Sequence, residues 1–358
     1  MATKQKIPKG APRPRPAVLD MAPYSPPTGQ RAGKLRLDFN ENTVGCSPRI
    51  VEFLKRQLDP ERLAVYPDYS EVRPALAEFF HVDPARLLLT NGTDEAIQVL
   101  VNTYLDDGGE ALLLRPSYAM YRFYCEVAGA SIRELDYRSG TLEFPLEELL
   151  AAITPETRAV LIANPNNPTG TAAPLSGIEK ILKRARRAAV LIDEAYYEFC
   201  GITALGLLDL YPNLFVSRTF SKVYGMAAMR LGCLFSHEGN IAILRKAQSP
   251  YSVNGLAALA AQEAVRDTAY VENYVTEALA ARELLCVGLE KLGIGYIPSQ
   301  ANFVLVRMGK RAVEIRDRLR EQRVLVRDRS YEIPGCVRVT VGTREQTRRF
   351  LQELEEIW

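Results

Sequence analysis

Residues 214–232 read LFVSRTFSKVYGMAAMRLG, a short apolar run followed by a lysine and then an arginine. Residues 214–217 have the continuous apolar character of a strand that is buried on both faces of a parallel sheet. Lys222 follows in a loop of small and apolar residues, where lost solvation lowers the pKa of an amine and favours its neutral, nucleophilic form. The hydroxyls of Thr219 and Ser221 and the guanidinium of Arg230 are donors that a phosphate group requires.

The same kind of apolar run recurs along the first two thirds of the chain and alternates with helix-like segments. The runs occupy residues 111–114, 159–163, 189–192 and 214–217. This alternation predicts an α/β fold with a largely parallel central sheet.

The pattern changes near residue 238. A helical pattern without proline covers residues 255–292, and shorter strand-like and helical segments follow it. We therefore expect a tail and arm at 1–34, a large domain at 35–240 and a smaller α+β domain at 241–358.

Composition excludes several classes of function. The 358 residues carry a formal charge of +2, so neither nucleic acid nor an anionic membrane is indicated as a partner. No apolar run is long enough for a membrane span. Six scattered cysteines and two histidines predict reduced thiols, a cytoplasmic location and no metal site. The basic, proline-rich first sixteen residues predict a disordered tail, with a nucleic-acid-binding arm as the less favoured alternative.

Two further polar segments directly follow predicted strands. Asp193-Glu-Ala-Tyr196 places a carboxylate at the sheet edge where α/β folds bind ligands. That carboxylate can keep a pyridine nitrogen in its protonated form, or it can simply cap the next helix. Asn164-Pro-Asn-Asn-Pro-Thr-Gly170 is a rigid turn that can aim the amide of Asn167 at a ring oxygen.

Two segments near residues 91 and 118 complete the set. Asn91-Gly-Thr-Asp-Glu95 opens an apolar helix, where free N–H groups can bind an anion, although an ordinary helix cap also explains it. Tyr118, in Pro116-Ser-Tyr-Ala-Met-Tyr121, can stack on a flat ring or pack in a core. Together the five segments supply an amine, a pyridinium acid, a ring-oxygen donor, a phosphate cradle and a stacking face. These groups predict that pyridoxal 5′-phosphate (PLP) forms a Schiff base with Lys222.

The chain resembles the class II aminotransferases of fold type I, and among them the histidinol-phosphate branch. The resemblance extends from about residue 24 to residue 347. The motifs that carry it are LDFNENTVGCSP, YPD, NGTDEAI, RPSYAMY, NPNNPTG, IDEAYYEF, TFSKVYGMAAMRLG, SQANFVLV and VLVRDRSYEIPGCVRVTVGTRE.

The resemblance implies a role for each matched residue. Lys222 would hold the cofactor and act in catalysis with Asp193 at the pyridine nitrogen and Tyr196 at the phenolic oxygen. The other cofactor-binding residues would be Gly92, Thr93, Asp94, Tyr118, Asn167, Thr219, Ser221 and Arg230, with Tyr66 reaching the cofactor phosphate of the neighbouring subunit in a homodimer. The substrate-binding residues would be Arg338, Arg327, Tyr24, Asn42 and Asn302.

The activity implied is a ping-pong transamination between L-histidinol phosphate and 2-oxoglutarate in histidine biosynthesis. An aromatic-amino-acid aminotransferase is the first alternative, and a PLP decarboxylase of a phosphorylated amino acid is the second. A non-catalytic, PLP-sensing regulator is a third, from a different class of protein. Such regulators usually carry a DNA-binding module, for which the segment before residue 24 is too short.

Overall fold

A computed structural model describes residues 10–19, 21–22, 29 and 31–358. The strands are β1 Leu35–Leu37, β2 Leu87–Thr90, β3 Glu110–Arg115, β4 Ser131–Asp136, β5 Thr157–Ala163, β6 Ala189–Asp193, β7 Leu214–Thr219, β8 Gly232–Ser236, β9 Tyr296–Ile297, β10 Phe303–Arg307, β11 Val324–Asp328 and β12 Cys336–Thr340. The helices are α1 Pro16–Leu19, α2 Pro48–Gln57, α3 Pro60–Ala64, α4 Val72–Phe79, α5 Gly92–Tyr104, α6 Ala119–Ala128, α7 Leu146–Ala152, α8 Leu175–Arg184, α9 Glu238–Ala247, α10 Gly255–Arg266, α11 Thr268–Lys291, α12 Ala312–Glu321 and α13 Arg344–Ile357.

The larger sheet has seven strands in the order β2-β8-β7-β6-β5-β3-β4. Six of these strands run in one direction, and β8 runs in the opposite direction between β2 and β7. Both faces are covered, since Val160 and Ile162 of β5 pack into one apolar cluster and Ala159 and Leu161 into another. The predicted α/β fold with a mostly parallel central sheet is therefore confirmed.

The smaller sheet has five strands in the order β1-β11-β12-β10-β9. Its pairings are antiparallel except that of β1 with β11. Strand β1 therefore lies in this sheet and not in the larger one, and the large domain's expected start at residue 35 stays a prediction. The division of the remaining chain into a large and a small domain near residue 240 stays a proposal.

The helical pattern at residues 255–292 forms two helices, α10 and α11, and not the single long helix that was predicted. The break lies at Asp267, whose backbone is non-helical (φ −100°, ψ 58°). Its carboxylate accepts a hydrogen bond from Ser47 and lies 3.6 Å from a guanidinium nitrogen of Arg49. These contacts with the start of α2 explain a break that propensity alone does not predict. Among the described residues, no helix is long and apolar enough to cross a membrane.

Candidate active site

A cavity of about 520 Å³ lies at the edge of the larger sheet where its parallel strands end. It contains twelve of the residues predicted from the sequence, namely Thr93, Asp94, Tyr118, Asn167, Asp193, Tyr196, Thr219, Ser221, Lys222, Arg230, Arg327 and Arg338. Strands β6 and β7 end at Asp193 and Thr219, and β8 begins at the same edge because Gly232 pairs with Thr219. The one antiparallel strand thus brings Arg230 back to the cavity.

Among the described residues, Lys222 is the only lysine that lines this cavity. Its Nζ donates a hydrogen bond to the carbonyl oxygen of Phe39 at 3.0 Å. Burial, and then the positive charge of Arg338, lower the pKa of Lys222 to about 8. A substantial fraction of the amine is therefore neutral near pH 8, as nucleophilic attack on an aldehyde requires.

Asp193 is buried at the end of β6, where two side chains donate hydrogen bonds to its carboxylate. The hydroxyl of Tyr121 lies 2.8 Å from Oδ2, and that of Ser217 lies 2.8 Å from Oδ1. Burial raises the pKa of Asp193, and the two hydrogen bonds oppose that shift. The sequence-based reasoning missed both donors. Tyr121 ends the quoted RPSYAMY motif, but the contact of Ser217 depends on its register opposite Asp193.

The predicted phosphate cradle lies at the start of α5. Asp94 accepts a hydrogen bond from the Tyr118 hydroxyl at 2.8 Å and pairs with Arg230 at 3.2 Å. Gly92 does not itself line the cavity, but it has φ +72°, and a Cβ atom there would lie 2.6 Å from Nη2 of Arg230. Glycine therefore allows the close approach of the guanidinium to the helix N-terminus, where backbone N–H groups are available to an anion.

Tyr196 and Asn167 also line the cavity, and each is held by a side chain from another segment. The Tyr196 hydroxyl accepts a hydrogen bond from Nδ2 of Asn40 at 3.0 Å. Asn167 accepts one from Arg338, whose guanidinium also donates to the carbonyl oxygen of Asp38 at 2.6 Å. Asn40, a buried residue with positive φ, is a further member of the site that the sequence-based reasoning did not identify.

The predicted substrate residues are only partly brought together. Arg327 and Arg338 face each other in the pairing of β11 with β12, and both line the cavity. Asn42 and Asn302 do not line it, and their assignment to the substrate pocket stays a prediction. Asn42 donates to the carbonyl oxygen of Val223 at 2.9 Å, and Asn302 donates to that of Asn40 at 3.1 Å. Both amides are thus used to hold the backbone around the site. Tyr24 lies outside the described residues.

Tyr66 lies away from the cavity. Its side chain is 77% exposed and stacks on Tyr251, with the ring centroids 4.5 Å apart. Within one chain it therefore takes no part in the site.

The residues of the cavity fit PLP. The donor set combines an amine of lowered pKa at Lys222 with a buried carboxylate at Asp193, while hydroxyls and Arg230 gather at a helix N-terminus. PLP carries an aldehyde, a pyridine nitrogen and a phosphate, and its binding requires these groups together. A simple anion would not require the buried acid.

Comparisons with known proteins agree with this chemistry. Residues 32–354 match the model of a family described as aminotransferase class I and II. Curated relatives include a histidinol-phosphate aminotransferase of Symbiobacterium thermophilum, 36% identical over 95% of this chain and 97% of that protein. Another, of a Geobacillus species, is 35% identical over 90% of each chain. Among solved structures, the histidinol-phosphate aminotransferase of Sinorhizobium meliloti in complex with pyridoxal-5′-phosphate has a TM-score of 0.86 and is 22% identical over 97% of this chain and 98% of that one.

Proposed function

The chain belongs to the class I and II aminotransferases, and we propose that within this family it transfers an amino group from L-histidinol phosphate to 2-oxoglutarate. Its cofactor is PLP. The observation that carries the proposed substrate is the name shared by curated relatives that are 31–36% identical over most of the chain. The arginines at one end of the cavity support it, because a guanidinium can bind both a phosphate and a carboxylate.

The cofactor would be held at four points of the cavity. Lys222 would carry its aldehyde carbon, Asp193 would pair with the pyridine nitrogen, and the hydroxyl and amide of Tyr196 and Asn167 would bind the phenolic oxygen. The phosphate would lie at the start of α5 with Thr93, Asp94, Thr219, Ser221 and Arg230 around it. When bound, PLP supplies a ring that accepts the electrons of the substrate Cα–H bond.

The protein's own groups move and hold the protons of the reaction. Lys222, with its lowered pKa, is suited to remove the proton from Cα of the donor and return it at C4′ of the cofactor. Asp193 keeps the pyridine nitrogen protonated, and Tyr121 and Ser217 keep the carboxylate in place. Arg338 orients the anionic group of the amino donor in the first half-reaction and that of 2-oxoglutarate in the second.

A panel of donors tests the proposal. The holoenzyme is mixed in turn with histidinol phosphate, phenylalanine and phosphothreonine, and the cofactor absorbance and the glutamate formed from 2-oxoglutarate are recorded. We expect histidinol phosphate to give the highest kcat/KM, and Lys222→Ala to give no turnover with any donor. Equal activity with phenylalanine would instead indicate an aromatic aminotransferase, and carbon dioxide from phosphothreonine would indicate a decarboxylase.

We further propose that the enzyme is a homodimer in which Tyr66 contacts the cofactor phosphate of the partner subunit. The side chains of Tyr66, Leu63 and Val65 are all more than 60% exposed, an apolar surface that a second copy could cover. Light scattering measures the mass, and mixed dimers test the contact. Tyr66→Ala and Lys222→Ala are each expected to lose activity, whereas a mixture of the two should recover it because one site regains both residues. No recovery would show that Tyr66 does not act across subunits.

A cytoplasmic location is also proposed. All six cysteines are free thiols, as expected in a reducing compartment. Fractionation of the source cells, followed by detection with an antibody, measures where the protein is found.

A further inference from the structure

Three guanidinium groups, not two, surround the substrate end of the cavity. Arg327 and Arg338 were expected there, and Arg329 lines the same cavity from the segment between β11 and β12. Arg329 is buried, with 7% of its surface exposed. Burial of a guanidinium costs free energy, which close charge pairing or the binding of an anion can offset. The burial of Arg329 therefore requires an explanation.

The partners of Arg329 are close and specific. Its Nη1 donates a hydrogen bond to the Tyr331 hydroxyl at 2.8 Å, and its Nη2 forms an ion pair with Glu332. The Glu332 side chain is one quarter exposed and lies outside the lining of this cavity. Glu332 therefore neutralises Arg329 from an adjoining cavity, which shares Tyr118 and Tyr331 with this one.

The other two arginines have no such partner among the described residues. The guanidinium of Arg338 donates only to neutral oxygens, those of Asn167 and Asp38. Arg327 forms no ion pair in the described part of the chain, and its guanidinium carbon lies 5.6 Å from the ring centroid of Phe39. Three positive charges and one negative charge leave this end of the cavity with a formal charge of +2.

Neighbouring charges do not alter this count. Arg31 pairs with both Asp38 and Glu41, and Arg36 lies 3.8 Å from Glu41. These four groups sum to zero. Asp328 lines an adjacent cavity together with Arg327, Arg316 and Arg320. Arg316 pairs with Asp317, so the charges of Asp328 and Arg320 cancel there and leave the count unchanged.

We propose that the balance between Arg329 and Glu332 sets how strongly the substrate end prefers a dianionic phosphate monoester over a monoanionic carboxylate donor. This inference rests on the proposed function and names the residues that determine its specificity. A phosphate monoester carries nearly two negative charges at pH 8, because its second pKa is about 6. A charge of +2 attracts it more strongly than it attracts a monoanionic carboxylate, and in a poorly solvated site this preference grows with each added positive charge.

The proposal predicts the direction in which each substitution changes kcat/KM. Glu332→Gln removes the negative charge and should raise kcat/KM for a dianionic donor. Arg329→Gln removes a positive charge and should lower it. Because the interaction of a ligand with an added charge scales with the ligand's own charge, the logarithm of the change should be twice as large for a dianion as for a monoanion. We expect about tenfold with histidinol phosphate and about threefold with phenylalanine, in opposite directions for the two variants.

The experiment measures kcat/KM of the holoenzyme at pH 8 with both donors for the wild type and the two variants. The matched control is Glu314→Gln, which breaks another Arg–Glu pair three residues apart, with Arg311, on the exposed surface of α12. Inorganic phosphate and acetate are also titrated as inhibitors of the reaction with glutamate. These two anions probe the same charge without being amino donors themselves.

The outcomes separate this inference from the proposed function. If the wild type does not use histidinol phosphate, the proposed function fails, and the phosphate-to-acetate inhibition ratio of the variants still decides the inference. Opposite shifts in that ratio for Glu332→Gln and Arg329→Gln, with none for Glu314→Gln, support it. Equal losses with both donors, or ratios unchanged from the wild type, overturn it, because a purely structural role would not distinguish anions by charge.

Discussion

The hydroxyl of Tyr121 is one of two side-chain groups that donate a hydrogen bond to Asp193. Tyr121→Phe removes this donor and leaves the ring, which is 1% exposed, in place. The carboxylate is then held by Ser217 alone. We expect the variant to fold normally, to bind PLP more weakly and to turn over more slowly.

The size of the effect follows from the contact that is lost. A hydrogen bond to a charged group contributes about 1.5–3 kcal/mol. Burial already raises the pKa of Asp193, and the Tyr121 hydrogen bond opposes that shift, so its loss raises the pKa further and weakens the charge facing the pyridine nitrogen. We expect the cofactor dissociation constant or kcat, or both, to worsen by about 10- to 100-fold in total.

The assay titrates the apoprotein with PLP by absorbance and follows a single turnover with glutamate. Tyr137→Phe is the matched control, since Tyr137 is also buried and its hydroxyl has no side-chain hydrogen bond among the described residues. Urea unfolding of both variants reports any general loss of stability. If Tyr121→Phe binds PLP and reacts as Tyr137→Phe does, the hydrogen bond does not support the acid, and the reasoning is refuted.

Four other expectations concern separate parts of the molecule. Because folding lowers the pKa of Lys222 from 10.5 to about 8, this residue's own contribution to the free energy of unfolding should grow from pH 8 to 10.5; urea unfolding of the wild type and of Lys222→Met at each pH measures it as a difference that increasingly favours the wild type, since the buried cysteines of raised pKa are common to both proteins. Arg338→Gln should lower kcat/KM for both substrates about 30-fold or more, as steady-state kinetics would detect. Arg218→Met should reduce the free energy of unfolding by about 3–5 kcal/mol, because it leaves the carboxylate of Glu194 buried without its cation at 2.8 Å, and the further change Glu194→Gln should restore part of it. Gly92→Ala should weaken the binding of PLP and not of phosphate-free pyridoxal, since its Cβ would displace an arginine from the start of α5.

The sequence alone determined the fold class and the cofactor, and it predicted twelve of the residues that line the cavity. The motifs at Asn91, Asn164, Asp193 and Lys222 each follow a strand, and parallel strands end at one edge of a sheet. Residues next to a strand end are therefore brought together by local structure and strand direction, which both leave a pattern in the sequence.

Contacts between distant segments could be decided only by the tertiary structure. Asn42 lies in a motif as informative as the others, yet packing uses its amide for a backbone carbonyl. The donors Tyr121 and Ser217 reach Asp193 through a helix position and a strand register. A polar side chain can satisfy its hydrogen bonds in many ways, and which partner it finds depends on packing across the whole fold.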